Sequence, residues 1–282
     1  MPEPVVSIRR LVKSRAGGAG YRLMVSSLDV GPGDRLALVG QSGCGKSTLL
    51  DMLGLVLRPD MRSDPSFSFT WRRGSTGAEV DVLDSWRSGD EGARERVRRE
   101  DIGYVLQSGG LLPFLSVRDN IILPAKLKGS PRGKELEGAL VNLSSSLGIG
   151  HLLKQYPGTV SMGERQRAAV ARALIHRPAL ILADEPTASL DPPTATKVFA
   201  LMLELSEGIP LVVSTHDEPR ARSLGFKIRR IVCEDQGPGG GIKAMLRRPE
   251  GPPLPGTEGQ PPDDGVIEDF GDIGAAEFFR DG

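Results

Sequence analysis

Residues 40–48 read G-Q-S-G-C-G-K-S-T, a set of types and spacings suited to holding a phosphate chain. In a turn from strand to helix, Gly40, Gly43 and Gly45 let successive backbone N–H groups point at phosphate oxygens. The helix that follows adds its positive N-terminal end. Lys46 can then reach the β- and γ-phosphates as a point charge, and the Ser47 hydroxyl can take a position on Mg2+. Gln41, Ser42, Cys44 and Thr48 complete the residues expected around the bound phosphates. The expected ligand is a nucleoside triphosphate with its metal.

A second pair of groups could act on that ligand. The apolar run 179–183 ends in Asp184-Glu185, so two carboxylates emerge at the carboxyl edge of a buried strand, where ligands of open α/β sheets collect. Asp184 would hold Mg2+, directly or through water, and Glu185 would orient and activate the water that attacks the γ-phosphate. Two acids at a strand end also suit a solvated turn or a helix cap; the phosphate loop favours the chemical reading.

These residues need particular elements to hold them. The runs 36–39, 179–183 and 210–214 are short and continuously apolar, as strands covered on both faces of a parallel sheet are. Residues 46–57 read as the helix after the loop, closed by Arg58-Pro59, and 194–205 as a helix between two strands. Residues 5–12 and 21–30 read as strands joined by a Gly-rich turn and forming an antiparallel edge before the loop. From 60 to about 100 the chain is polar and charged and reads as a surface excursion, with strands expected near 67–71 and 80–83. An apolar strand resumes at 102–106, and 111 to about 174 reads as mainly helical, with breaks at 129–131 and 156–158. Beyond Arg248 the chain is rich in Pro, Gly and acids, so residues 236–282 are expected to form a disordered tail outside the core. Phe270, Phe278 and Phe279 near its end would suit a docking peptide or a solvated tail.

Lys plus Arg and Asp plus Glu both number 36, so no overall basic field exists to hold nucleic acid, and no nucleic-acid partner is expected. Two cysteines, Cys44 and Cys233, are too few for a disulfide framework, and a bridge at Cys44 would distort the phosphate loop. A reducing cytosol is the expected compartment. No run approaches the length needed to span a bilayer and the start is unlike a signal peptide, so the chain is expected to be soluble by itself.

Four further motifs follow in a fixed order, and with them the chain resembles the nucleotide-binding subunit of an ABC ATPase over roughly residues 5–235. Gln107, ending the strand at 102–106, resembles the Q-loop glutamine that senses Mg2+ and water. V-S-M-G-E-R-Q-R at 160–167 resembles the signature usually read as L-S-G-G-[QE]-x-Q-R. Ser189-Leu190-Asp191 resembles the D-loop, and His216 the switch histidine. The resemblance implies an α/β P-loop NTPase fold with a RecA-like core sheet, an N-terminal antiparallel β subdomain and an inserted helical subdomain at about 108–165. It also implies a head-to-tail homodimer, with ATP and Mg2+ held between residues 40–48 of one copy and Ser161, Gly163 and Asp191 of the other. Lys46, Glu185 and His216 would then be the catalytic residues, and Ser47, Gln107 and Asp184 the groups on the metal.

Three departures from the family pattern stand out. Met162 replaces the usual first glycine of the signature, a change expected to leave activity intact. The aromatic residue that stacks on adenine falls near Arg15, with Tyr21 the nearest aromatic substitute. The stretch from Lys46 to Gln107 is about a dozen residues longer than the family suggests, which places an insertion at 60–100.

Residues 107–124, Q-S-G-G-L-L-P-F-L-S-V-R-D-N-I-I-L-P, resemble the lipoprotein-release and macrolide-efflux branch. That implies a peripheral ATPase at the cytoplasmic face of the inner membrane, driving a separate permease-type subunit. A short helix of that subunit would dock beside Gln107 and residues 111–155. Two alternatives remain at this point. One is a soluble ABC ATPase acting on ribosome or DNA, which usually carries paired cassettes, a coiled coil or zinc cysteines. The other is a regulatory nucleotide-binding module without turnover, which would be expected to lack Glu185 or His216.

Overall fold

The computed structural model describes residues 3–15, 20–61, 64–74, 76–236 and 241–247. The tail expected at 236–282 is corrected over 242–246, which pairs with 21–25 and 231–235 as a strand of the sheet with Ala244 and Leu246 buried; its three phenylalanines and most of the turn at 17–20 lie outside the described residues.

Among the described residues ten strands form one sheet in the order β5-β4-β1-β2-β10-β9-β3-β8-β7-β6. The strands are β1 (Val6–Arg15), β2 (Tyr21–Val30), β3 (Arg35–Val39), β4 (Ser68–Arg72), β5 (Glu79–Asp81), β6 (Ile102–Val105), β7 (Leu180–Asp184), β8 (Leu211–Thr215), β9 (Lys227–Asp235) and β10 (Ile242–Leu246). The half running from β3 through β8 and β7 to β6 is parallel, and its strands are the continuously apolar runs of the sequence. In β8 all five residues are buried, and in β7 the first four are. The other half is largely antiparallel, β1 pairing with β2 and β4, and β10 with β9. Strand β9 belongs to both, parallel to β3 along 227–230 and antiparallel to β10 along 231–235.

The helices are α1 (Lys46–Leu53), α2 (Val82–Arg87), α3 (Glu91–Asp101), α4 (Val117–Lys128), α5 (Gly133–Ser146), α6 (Met162–Leu174), α7 (Pro192–Leu205) and α8 (Glu218–Ser223). A capping serine starts α4, where the Ser116 hydroxyl accepts from the Asp119 N–H, and Gly129 in left-handed conformation ends it. Behind that cap the fully buried Asn120 accepts from the Leu112 N–H and donates to the carbonyls of Leu112, Leu115 and Ser116, fixing the segment that leads into the helix. One apolar core runs from β3, β7 and β8 into α4, α6 and α7, and so joins the parallel sheet to the helical layer.

Several sequence expectations are corrected. Helix α1 stops at Leu53 rather than residue 57, because Gly54 caps it and Leu55 takes a positive φ of 55°. Val82 and Leu83 belong to a helix, not a strand, since the Asp81 carboxylate caps α2 by accepting from the Asp84 N–H. Strands β1 and β2 lie inside the sheet, and its edges are β5 and β6.

The segment 60–100 is no surface excursion. Its strand β4 pairs with β1, setting Phe69 opposite Ile8 and Trp71 opposite Val6, with all four side chains fully buried. Counting charged residues hid this, because alternate positions of a half-buried strand are polar. The arginines are also engaged: Arg73 pairs with Glu100 and Asp101, and Arg94 lies 3.9 Å over the Trp86 ring.

Candidate functional site

Strand β3 delivers the chain into the phosphate loop along buried neighbours, and two glycines of the loop are sterically required. A Cβ on Gly40 would lie 2.6 Å from both the Cys44 Sγ and the Ile231 carbonyl oxygen. Gly45 has φ +100°, and a Cβ there would lie 1.8 Å from the Tyr21 hydroxyl. That hydroxyl donates to the Cys44 carbonyl at 2.9 Å, so Tyr21 props the loop from beneath.

Lys46 opens α1 and is only 8 % exposed. Its ammonium donates to the carbonyls of Gly40 at 2.9 Å and Gln41 at 3.2 Å, and lies 3.6 Å from a Glu185 carboxylate oxygen. Gln41, Ser42, Gly43 and Ser47 are exposed on the open side, whereas Cys44 and Thr48 are buried beneath.

Strand β7 brings the two carboxylates to the same edge. Its register with β8 sets Asp184 opposite Ser214. The Ser214 hydroxyl donates to the Asp184 carboxylate at 2.5 Å and accepts from the Glu185 N–H at 2.9 Å. Glu185 has φ +42°, a conformation rare for a side chain of this kind. Its carboxylate lies between Lys46 and His216, with the His216 Nδ1 at 3.0 Å. Sequence reasoning missed Ser214; a serine closing an otherwise aliphatic strand beside Asp184 was the available signal.

Gln107 stands exposed just beyond β6, which neighbours β7 with Val105 opposite Ala183, and so on the same sheet edge as Asp184. The loop after it is held by Arg172 of α6, whose guanidinium donates to the carbonyls of Gly109 at 2.8 Å and Gly110 at 2.6 Å.

Ser161, Gly163 and Asp191 gather around the N-termini of α6 and α7. Ser161 and Glu164 form a capping box, and the Ser161 hydroxyl also donates to the Glu164 carboxylate at 2.7 Å. These bonds hold the Glu164 carboxyl below its usual range. A Cβ on Gly163 would meet Thr194 of α7 at 3.3 Å, and Asp191 caps α7 through the Thr194 N–H. Met162 points outward, 36 % exposed. Among the described residues no hydrogen bond or ion pair joins these three residues to 40–48.

The chemistry of this donor set suits a polyphosphate and a hard cation: backbone amides and an ammonium for the anion, a hydroxyl, an amide and a carboxylate for the metal. Behind α1, Asp51 accepts from the Tyr104 hydroxyl at 3.0 Å, and burial raises the Asp51 carboxyl, with Asp184 adding to the effect. Tyr104 also lines a groove of about 350 Å³, together with Arg98, Leu123, Pro124, Leu127 and His176.

Residues 23–188 match the family model described as "ABC transporter". The chain is 39 % identical over 229 residues to the lipoprotein-releasing system ATP-binding protein LolD 2 of Caulobacter vibrioides, covering 79 % of this chain and 93 % of that one. It is 38 % identical over 242 residues to LolD of Xanthomonas campestris pv. campestris, covering 83 % and 91 %. A solved dimer of the ATP-binding cassette MJ0796, in a post-hydrolysis state with ADP and Pi, superposes with a TM-score of 0.67 at 27 % identity, covering 86 % of this chain and 97 % of that chain. The sheet with its phosphate loop, the carboxylates set beside it and these similarities agree, and the chain belongs to the ABC transporter family as an ATP-hydrolysing subunit.

Proposed function

We propose that two copies of this chain, peripheral at the cytoplasmic face of the inner membrane, close head to tail around two MgATP and so drive a membrane-spanning partner that extracts lipid-anchored proteins. The family supplies the ATPase and the membrane partner; the cargo follows the lipoprotein-releasing relatives. The observation that carries the reading is the set Lys46, Glu185 and His216 at the mouth of the phosphate loop, with Asp184 fixed by Ser214 beside it.

In this reading the amides of 40–48 and Lys46 hold the β- and γ-phosphates. Ser47, Gln107 and Asp184 hold Mg2+, which when bound neutralises phosphate charge. Glu185 accepts a proton from the attacking water, and His216 keeps its carboxylate aimed. Ser161 and Gly163 of the second copy close the site from the far side, with Asp191 beside them. Arg15 provides the adenine platform: it is exposed and stands opposite Tyr21, whose hydroxyl is committed to the loop.

The groove beside α3, α4 and α6 receives a short helix of the membrane partner. Its floor is apolar at Leu123, Pro124 and Leu127, and Arg98 and Arg99 at its rim are already paired with Glu91, Glu95 and Glu100, so apolar contact carries the docking. Tyr104 and Asp51 connect that floor to α1, which gives docking a direct route to the phosphate loop. A reading as a nucleic-acid-directed ATPase gains no support from a chain with balanced charge.

Glu185→Gln keeps the shape and removes the proton acceptor. With millimolar MgATP it is expected to run as a dimer on gel filtration and to hydrolyse ATP at least ~100-fold more slowly than wild type. A variant that stays monomeric with bound MgATP would overturn the shared-site reading.

A further inference from the structure

The two cysteines of the chain, far apart in sequence, meet beneath the phosphate loop. Val39 at the end of β3 sits opposite Arg230 of β9, so the loop that follows departs alongside 231–233. Cys44 turns back toward that strand: its Sγ and the Ile231 carbonyl oxygen each lie 2.6 Å from where a Cβ on Gly40 would be. Cys233, two residues on, has its pKa raised by burial and by the neighbouring Cys44 thiol, and both thiols are free. Tyr21 closes the cluster from the other side, donating to the Cys44 carbonyl. Lys46 is close enough to act on the Cys233 thiol, although burial outweighs it and holds that thiol above its ordinary range.

We propose that Cys44 and Cys233 form an oxidant-driven disulfide that locks the phosphate loop to β9 and switches off ATP binding. The proposal rests on reading 40–48 as the nucleotide site. Cys44 is 1 % exposed and Cys233 more accessible, which assigns the order of events. The Cys233 thiolate attacks one oxygen of a hydroperoxide, giving a sulfenic acid and releasing the alcohol, or water when the oxidant is hydrogen peroxide. The Cys44 thiolate then attacks that sulfur and expels the oxygen as water. Two thiols lose two electrons and two protons, and the peroxide O–O bond takes them up. Because only thiolates react, the rate climbs with pH toward the raised Cys233 value.

The bond requires an S–S distance of about 2 Å, which pulls the Cys44 peptide toward β9. Its neighbours Gly43, Gly45 and Lys46 carry the phosphate contacts, and a displacement of about 1 Å there can lower function by ~100-fold. MgATP held in the loop should therefore slow bond formation.

The test treats the full-length reduced protein with hydrogen peroxide and follows intact mass, alkylation of each thiol and ATP turnover. The expected result is an intramolecular loss of two hydrogen atoms and protection of both cysteines from alkylation. Turnover should fall at least ~10-fold, and dithiothreitol should restore it. Cys233→Ser should keep wild-type turnover within about twofold, before and after peroxide, since it removes no phosphate contact. Three results would each overturn the proposal: no Cys44–Cys233 bond under peroxide that oxidises free cysteine, a bond without loss of turnover, or equal sensitivity in Cys233→Ser. Bond formation is scored by mass alone, so a reduced protein that hydrolyses no ATP would instead count against the nucleotide-site reading.

Discussion

Replacing Gly45 by alanine tests the steric reading of the phosphate loop quantitatively. The added Cβ would lie 1.8 Å from the Tyr21 hydroxyl oxygen, 3.1 Å from Tyr21 Cζ and 3.6 Å from Leu23 Cδ1, at a residue with φ +100°. A left-handed conformation costs an alanine about 1–2 kcal/mol. Pushing the phenol aside breaks its hydrogen bond to the Cys44 carbonyl, worth about 1 kcal/mol. Crowding a packed site adds about 1–2 kcal/mol more. Gly45→Ala should therefore destabilise by roughly 4 kcal/mol.

Tyr21→Phe alone should cost about 1 kcal/mol. It deletes the atom in conflict, so in its background the alanine pays mainly the backbone term, and the double variant should lose only about 2–3 kcal/mol. The second change thus rescues the first. Urea midpoints of the full chain measure it, with the buried Trp71 as the fluorescent reporter. If the two losses simply add, or the double variant is the weakest of the three, Tyr21 does not support the loop as described.

His176 is buried, and its Nε2 donates to the Ile102 carbonyl. Burial, with Lys128 nearby, lowers its pKa from 6.5 to about 4. A folded value below the unfolded one stabilises fully above about pH 6.5 and loses that stabilisation as pH falls toward 4, by up to about 3 kcal/mol. Stability measured between pH 7 and 4.5 should fall less steeply in His176→Gln than in wild type, and equal slopes would refute the assignment. Arg73→Ala strands the buried Asp101 carboxylate and should lower unfolding stability by about 3 kcal/mol, with Arg73→Lys intermediate; a urea midpoint within error of wild type would show that the pair does not matter.

Much of the site was legible in the sequence because its groups sit in local motifs: loop glycines, a lysine at a helix start, acids closing an apolar strand. The parallel strands were equally plain, since burial on both faces leaves unbroken aliphatic runs. What escaped depends on register between distant segments. Ser214 acquires its role only when β7 and β8 align it with Asp184, and Tyr21 only when β2 passes under Gly45. The burial of 60–100 escaped for a related reason: Phe69 and Trp71 face inward from a strand whose alternate residues are polar, and Arg73 and Arg94 owe their burial to partners brought by the fold.

Both anion-seeking ends of this chain are occupied by carboxylates of its own, Glu185 against Lys46 and Glu164 against Ser161. Each acts as a resident counterion, so a phosphate or sulfate reaching either end must compete with a carboxylate already there. In a head-to-tail pair the two ends would face each other, each already holding a carboxylate of its own. A polyphosphate placed between them must outcompete the Glu164 carboxylate for the α6 end, while Glu185 stays beside the γ-phosphate where the proposed chemistry needs it.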